Sequence, residues 1–204
     1  GTNLIKAQFA YKNQQKTIIK EIDVFNINAP VIYSYMIIKE YPHDISLYTQ
    51  GLEFNNNILF ESTGLNGFSS LRKFDIFNNK LIDVRFLDDE YFGEGLTIFE
   101  NKIFQLTWKN KIGFIYDLNS MNMKSSFNYD QSLEGWGLAN DGEFLYKSDG
   151  TEKIWIIDPY SYKEIRNIEV VTNKKKVMNI NELEIVDDKI YANTYQFNKD
   201  VVLV

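Results

Sequence analysis

Apolar and polar positions along this chain repeat with two periods at once, one of two residues and one of some forty. Four segments align without gaps on a single leucine: "QGLEFNNNILFESTG", "EGLTIFENKIFQLTW", "WGLANDGEFLYKSDG" and "NELEIVDDKIYANTY". The anchors Leu52, Leu96, Leu138 and Leu183 stand 44, 42 and 45 residues apart, a period that suits a four-stranded propeller blade. Each unit runs a short apolar strand, a polar turn ("NNN", "EN", "NDG" or "DD") and a second alternating strand, which is a hairpin pattern. Third strands are predicted in "SLRKFDI", "GFIYDL" and "KIWIID", and outer fourth strands in "KLIDVRFL" and "EIRNIEVV". Three prolines and no amphipathic helical pattern complete an all-β reading.

Ahead of the first unit, the stretch "VIYSYMIIKEY" (Val31 to Tyr41) is predicted as another strand, while the fourth unit stops at "VVLV" without an outer strand. An unpaired sheet edge invites aggregation, so the N-terminal strand is expected to complete that last blade. Residues 1–30 are assigned as an N-terminal extension with an extra strand or two, punctuated by "INAP", and residues 31–204 as the propeller domain.

Composition narrows the chemistry. With 204 residues, 44% hydrophobic and 25% charged, the chain suits one globular domain, and its 15% aromatic content suits β structure. A net charge of −6 with no basic stripe excludes nucleic acid as a partner, and the Lys174–Lys176 run is read as a solvated loop. There is no cysteine, hence no disulfide or thiol chemistry, and a single histidine, His43, rules out a histidine-based zinc site. No cofactor is called for. No apolar run reaches the length of a membrane span, and a chain that starts at Gly1 rather than Met leaves room for a removed targeting segment upstream.

Equivalent positions in a repeat occupy equivalent places in the fold. The first strand of each propeller blade borders the central channel, so the residues two before the leucine, Gln50, Glu94, Trp136 and Asn181, are expected around its mouth. Twelve after the leucine come Gly64, Trp108, Gly150 and Tyr195, which antiparallel pairing returns to the same edge. Tyr48 and Phe92, two residues ahead of Gln50 and Glu94, extend the wall. Such a mouth joins one carboxylate to two amides and several aromatic faces. Aromatic faces and a carboxylate both attract a cation, and partial desolvation raises a carboxyl pKa into a useful acid/base range. A glutamate between glycines also serves as a plain turn residue, and tryptophans in β proteins are commonly core, so the repeat alone leaves both readings open.

The ordered set "YTQGLEF", "ESTGLNGFSSLRKFD", "YFGEGLT", "QLTWK", "GFIYD", "GWGLANDG", "SDGT" and "NELE" resembles the plant and bacterial glutaminyl-peptide cyclotransferases, also called glutamine cyclotransferases, from Val31 to the C-terminus. The resemblance implies a five-bladed β-propeller, with about four blade repeats recognisable here, that converts N-terminal glutamine of a peptide or protein into pyroglutamate and releases ammonia without a metal. It implies Glu94 as general base and acid. Tyr48, Phe92, Trp108, Trp136 and Tyr195 would form an aromatic cage for substrate, and Gln50 and Asn181 amide contacts to it. It also implies an exported, monomeric protein whose partner is a substrate with N-terminal glutamine. Glu182 and Glu184 are read as structural and His43 as a loop tether. Two departures stand out. Tyr195 occupies a position where the family usually has tryptophan, and the family pattern continues past Val204 into a fifth repeat carrying a site lysine, so the domain is expected to be truncated. The competing readings are a propeller that binds peptide N-termini or another cationic ligand without turnover, and a calcium-dependent hydrolase. The latter is disfavoured because only one of the four mouth positions is acidic.

Overall fold

A computed structural model describes residues 1–12, 14–195 and 201–204. Among these there are strands and no helix. A long hairpin, β1 (Thr2–Tyr11) and β2 (Gln14–Asp23), precedes three four-stranded antiparallel sheets and one of three strands. The first sheet is β3 (Thr49–Asn55), β4 (Ile58–Thr63), β5 (Ser70–Asp75) and β6 (Lys80–Phe86). The second is β7 (Gly93–Phe99), β8 (Lys102–Thr107), β9 (Ile112–Asp117) and β10 (Met123–Asn128). The third is β11 (Leu138–Asn140), β12 (Leu145–Ser148), β13 (Lys153–Ile157) and β14 (Glu164–Glu169). The fourth is β15 (Ile180–Val186), β16 (Lys189–Thr194) and β17 (Val202–Leu203). Every repeat-derived strand is present, and the polar turns carry left-handed backbone at Asn56, Asn57, Glu100, Gly142, Asp187 and Asp188, as tight β-hairpins require.

The sheets stand as propeller blades, with inner strands β3, β7, β11 and β15 neighbouring one another in that order. Apolar cores lie between successive blades. Phe60, Leu71, Leu96, Ile103 and Phe114 fill the space between the first two, and Phe104, Leu106, Phe127, Leu138 and Leu145 the next. Ile154, Ile180, Leu183 and Ala192 fill the third. The anchor leucines show where the ring is open: Leu96, Leu138 and Leu183 are each 1% exposed, whereas Leu52 is 44% exposed. Leu52 faces an open cleft, shared with Glu182, Leu183 and Tyr191, between the first and fourth blades.

Inner strands approach closely because a glycine precedes the leucine in three units. A Cβ on Gly51 would stand 2.6 Å from the Leu96 amide nitrogen, and one on Gly95 2.6 Å from that of Leu138. In the fourth unit this position is Glu182, whose carboxylate reaches back to Gly51 and Gly95. A side chain that the sequence marked only as structural therefore lies across the inner strands.

Two expectations are corrected. Residues 31–41 form no strand and are exposed throughout. Their apolar, β-branched and aromatic residues suit a strand, but a strand also needs a partner for its backbone N–H and C=O groups, and none of the described strands pairs with them. The N-terminal strands do not complete the fourth blade either: β1 and β2 pair with each other. Their root docks on the third blade, where the Thr2 amide donates to Glu169 Oε2 at 2.7 Å. Lys176 there donates to Glu152 Oε1 at 2.9 Å and to Thr2 Oγ1 at 2.5 Å, so only the outer part of the Lys174–Lys176 run is solvated. Among the described residues the fourth blade lacks an outer strand, as the sequence anticipates. His43 tethers its loop to Glu61 Oε1 at 2.8 Å, also as anticipated.

Candidate active site

Gln50, Glu94 and Asn181 each fall where the pairing of first and second strands slips. The register breaks between Thr49 and Gly51, between Gly93 and Leu96, and between Ile180 and Leu183. A β-bulge leaves its extra residue outside the ladder and re-aims its side chain. Repetition of the break in three blades explains why these chemically unlike residues share one rim. Trp136 takes the same place just ahead of β11, with its carbonyl accepting from the Gly95 amide at 2.7 Å.

The returning strands bring the second set to the rim. The amides of Gly64, Trp108 and Tyr195 donate to the carbonyls of Tyr48, Phe92 and Asn179 at 2.8, 3.0 and 2.9 Å. The aromatic rings then form two groups. Tyr48 packs edge-on against Phe92 at 6.1 Å and Phe92 against Trp108 at 5.5 Å, while Trp136 meets Tyr195 at 6.2 Å. The glycines at the twelve-after position make room for rings of their neighbours. A Cβ on Gly64 would collide with Phe92, and one on Gly150 with Trp136. Burial first, and interaction with the Tyr195 side chain second, raise the Tyr48 pKa.

Glu94 is 6% exposed. Burial first, and the nearby Glu134 charge second, push its carboxyl up to about 9, so it carries a proton at neutral pH. Glu182 on β15 is also raised well above the usual carboxylate range, by burial and then by Glu94 and Glu184.

Glu134 is the residue that the sequence reading passed over. Its Oε2 accepts from the indole Nε1 of Trp108 at 2.7 Å and from that of Trp136 at 2.9 Å. The signal was available, since Tyr48 and Phe92 lie four before their leucines and the same count from Leu138 lands on Glu134. The loop that carries it is tied down by buried groups. Tyr129 Oη donates to the Thr107 carbonyl at 2.7 Å and accepts from the Thr107 amide at 2.9 Å. Glu164 accepts from the Gln131 and Ser132 amides at 2.5 and 2.9 Å and pairs with buried Lys147 at 3.0 Å. Lys147 in turn reaches Ser132 Oγ and the Glu134 carbonyl. Among the described residues no group of three or more histidine, cysteine, aspartate or glutamate side chains is placed to hold a metal ion, and no helix is long and apolar enough to cross a membrane.

A family profile described as glutamine cyclotransferase matches residues 5–204. A glutaminyl-peptide cyclotransferase of Arabidopsis thaliana is 40% identical over 161 residues, which make up 78% of this chain and 50% of that protein. The chain thus spans about half the length of this curated relative. The crystal structure of Myxococcus xanthus glutaminyl cyclase superposes with a TM-score of 0.73 at 29% identity, over 82% of this chain and 70% of that one. The WD40 repeats of RRP9 superpose with a TM-score of 0.55 at 10% identity, over 80% of this chain and 50% of theirs, a likeness of propeller fold alone.

Proposed function

Because this chain belongs to the glutamine cyclotransferase family, we propose that the protein cyclises N-terminal glutamine of peptides to pyroglutamate with release of ammonia, and that Glu94 carries the protons. The observation that supports this most is the placement of Glu94, a buried carboxyl on a bulge of the inner strand, near Glu134, the carboxylate that the indoles of Trp108 and Trp136 share.

The reaction forms a bond from the substrate's α-nitrogen to its own γ-amide carbon and breaks the bond from that carbon to the amide nitrogen. One proton must leave the attacking nitrogen and one must reach the departing nitrogen. An α-amine has an ordinary pKa of about 7.7–8.0, so near pH 8 it is half neutral and able to attack. Glu94 then still holds its proton, with a carboxyl pushed up to about 9. It gives that proton to the leaving nitrogen and takes one from the attacking nitrogen, ending as it began. Amide groups of Gln50 and Asn181 on the neighbouring bulges supply donors for the oxygen on which negative charge develops. The aromatic walls hold the glutamine side chain folded back on its amine. Export and action as a monomer belong to the same reading.

A peptide beginning with glutamine, incubated with the protein, is expected to lose the mass of one ammonia, and EDTA is expected to leave the rate unchanged. The rate falls at low pH as the amine is protonated and falls again above about 9 as Glu94 loses its proton. Turnover abolished by the chelator would overturn the metal-free mechanism, and a rate that keeps rising above that pH would remove Glu94 as the acid.

A further inference from the structure

Trp108 directly follows β8 of one blade and Trp136 lies just ahead of β11 of the next, so the two indoles are carried by separate blades. Phe92 packs against the Trp108 ring and Tyr195 against the Trp136 ring. Neither contact fixes rotation about the side-chain torsions as a hydrogen bond at the indole nitrogen does. Both nitrogens donate to one carboxylate oxygen of Glu134, and a charged acceptor makes each bond shorter and stronger than a neutral one would. The backbone on either side of Glu134 is held in turn, by the Gly135 amide donating to the Trp108 carbonyl at 3.0 Å and by Lys147 at the Glu134 carbonyl at 3.3 Å.

We propose that Glu134 is a positioning residue that pins the indoles of Trp108 and Trp136 across two blades and so sets the shape of the channel mouth. Its relevance to turnover rests on the cyclase reading, whereas the pin itself does not. The groups that face Glu94 are Glu134 and Tyr129 from the loop ahead of β11, Glu182 from β15 and Tyr48 ahead of β3. Of these, Glu134 contributes the charge that the pin carries.

The test compares the whole protein with Glu134→Ala and Glu134→Gln, using 15N–1H spectra of the indole groups assigned through Trp108→Phe and Trp136→Phe. In Glu134→Ala both indole N–H signals are expected to move and to exchange faster with water, while kcat/KM for a glutamine-initiated peptide drops about 100-fold, the usual scale for misplaced positioning groups. Glu134→Gln keeps a carbonyl acceptor of the same shape. It is expected to hold both signals in slow exchange and to recover activity to within about tenfold of the parent. In both variants the alkaline limb of the rate profile moves to lower pH, because a negative charge beside Glu94 is gone. Indole signals unmoved by Glu134→Ala would overturn the proposal, as would a Gln variant as impaired as the Ala variant. Should no form of the protein cyclise glutamine while the indole signals still respond, the functional reading fails and the pin stands.

Discussion

Glu94→Gln is expected to lower kcat toward a glutamine-initiated peptide by about 10²–10⁴-fold, the range of a single general acid–base group, while making the protein more stable at alkaline pH. The two effects have one cause. In the unfolded chain this carboxyl ionises near its ordinary value, whereas in the folded chain it holds its proton up to about 9. Between those values the folded state binds more protons than the unfolded one, so its stability falls as pH rises, by at most about 1.4 kcal/mol per pH unit for one group. The loss is absent below the unfolded value and complete above the folded one. Glu53, pushed up to about 7 by burial between the first two blades, adds to the same trend over a narrower window and is untouched by the substitution. A glutamine at 94 does not titrate. Thermal unfolding at pH 8 should therefore give a higher Tm for Glu94→Gln than for the parent, and the gap should close at pH 4. The stabilisation at pH 8 is on the order of 2–5 kcal/mol. A variant that is inactive but shows the same Tm difference at both pH values would mean that the carboxyl is neither buried nor raised as described.

That a stability cost sits at the rim bears on what the sequence could disclose. The repeat is a periodic fact, so the strands that recur from unit to unit were legible, down to the turns that carry left-handed backbone at Asn56, Asn57 and Asp188, whereas the outer strand of the second blade, Met123–Asn128, and the short Val202–Leu203 were not. Glu94 was legible for the same reason, as the one acid among four equivalent positions. Features that depend on what neighbours what were not. Residues 31–41 have the apolar, aromatic composition of a strand, but composition does not provide a partner, and they lie exposed without a pairing strand among the described residues. The bulges that turn Gln50, Glu94 and Asn181 out of the ladder leave no mark in composition, although the glycine before each of the first two leucines hints at a close approach. Glu182, read as structural, stands where the other three units have glycine, and its carboxyl reaches toward Gly51 and Gly95, inside the fold. Glu134 was overlooked because acidic residues in loops are usually solvated, and only its two indole partners show otherwise.

The loop that presents Glu134 depends on an ion pair deeper in the third blade, and breaking that pair has the largest expected effect on folding. The side chains of Lys147 and Glu164 are 0% and 1% exposed, with Nζ and Oε1 3.0 Å apart. Burial lowers the Lys147 pKa, and the Glu164 charge opposes that shift. Glu164 itself is held below the usual carboxylate range because Lys147 and its bonds from Ser132 and Gln131 outweigh its burial. Lys147→Met keeps the length of the side chain and removes the charge, leaving a buried carboxylate with amide and hydroxyl donors but no cation. That is expected to cost about 3–5 kcal/mol at pH 7 in urea unfolding. Adding Glu164→Gln removes the stranded charge and leaves a carbonyl to accept from the Ser132 and Gln131 amides, so the double variant should be more stable than the single one. The sign with pH is fixed by the same logic. Without Lys147 the buried carboxyl of Glu164 titrates above its unfolded value, so the deficit of the single variant is greatest at neutral pH and shrinks as pH falls and Glu164 is protonated. The double variant has no such dependence. Because Lys147 also holds the Glu134 carbonyl and Ser132, substrate binding in the single variant should weaken under conditions where the protein is still folded, seen as a raised KM. A Lys147→Met protein within about 1 kcal/mol of the parent at pH 7 would show that the backbone and hydroxyl donors alone satisfy Glu164, and that the rim loop is anchored without the ion pair.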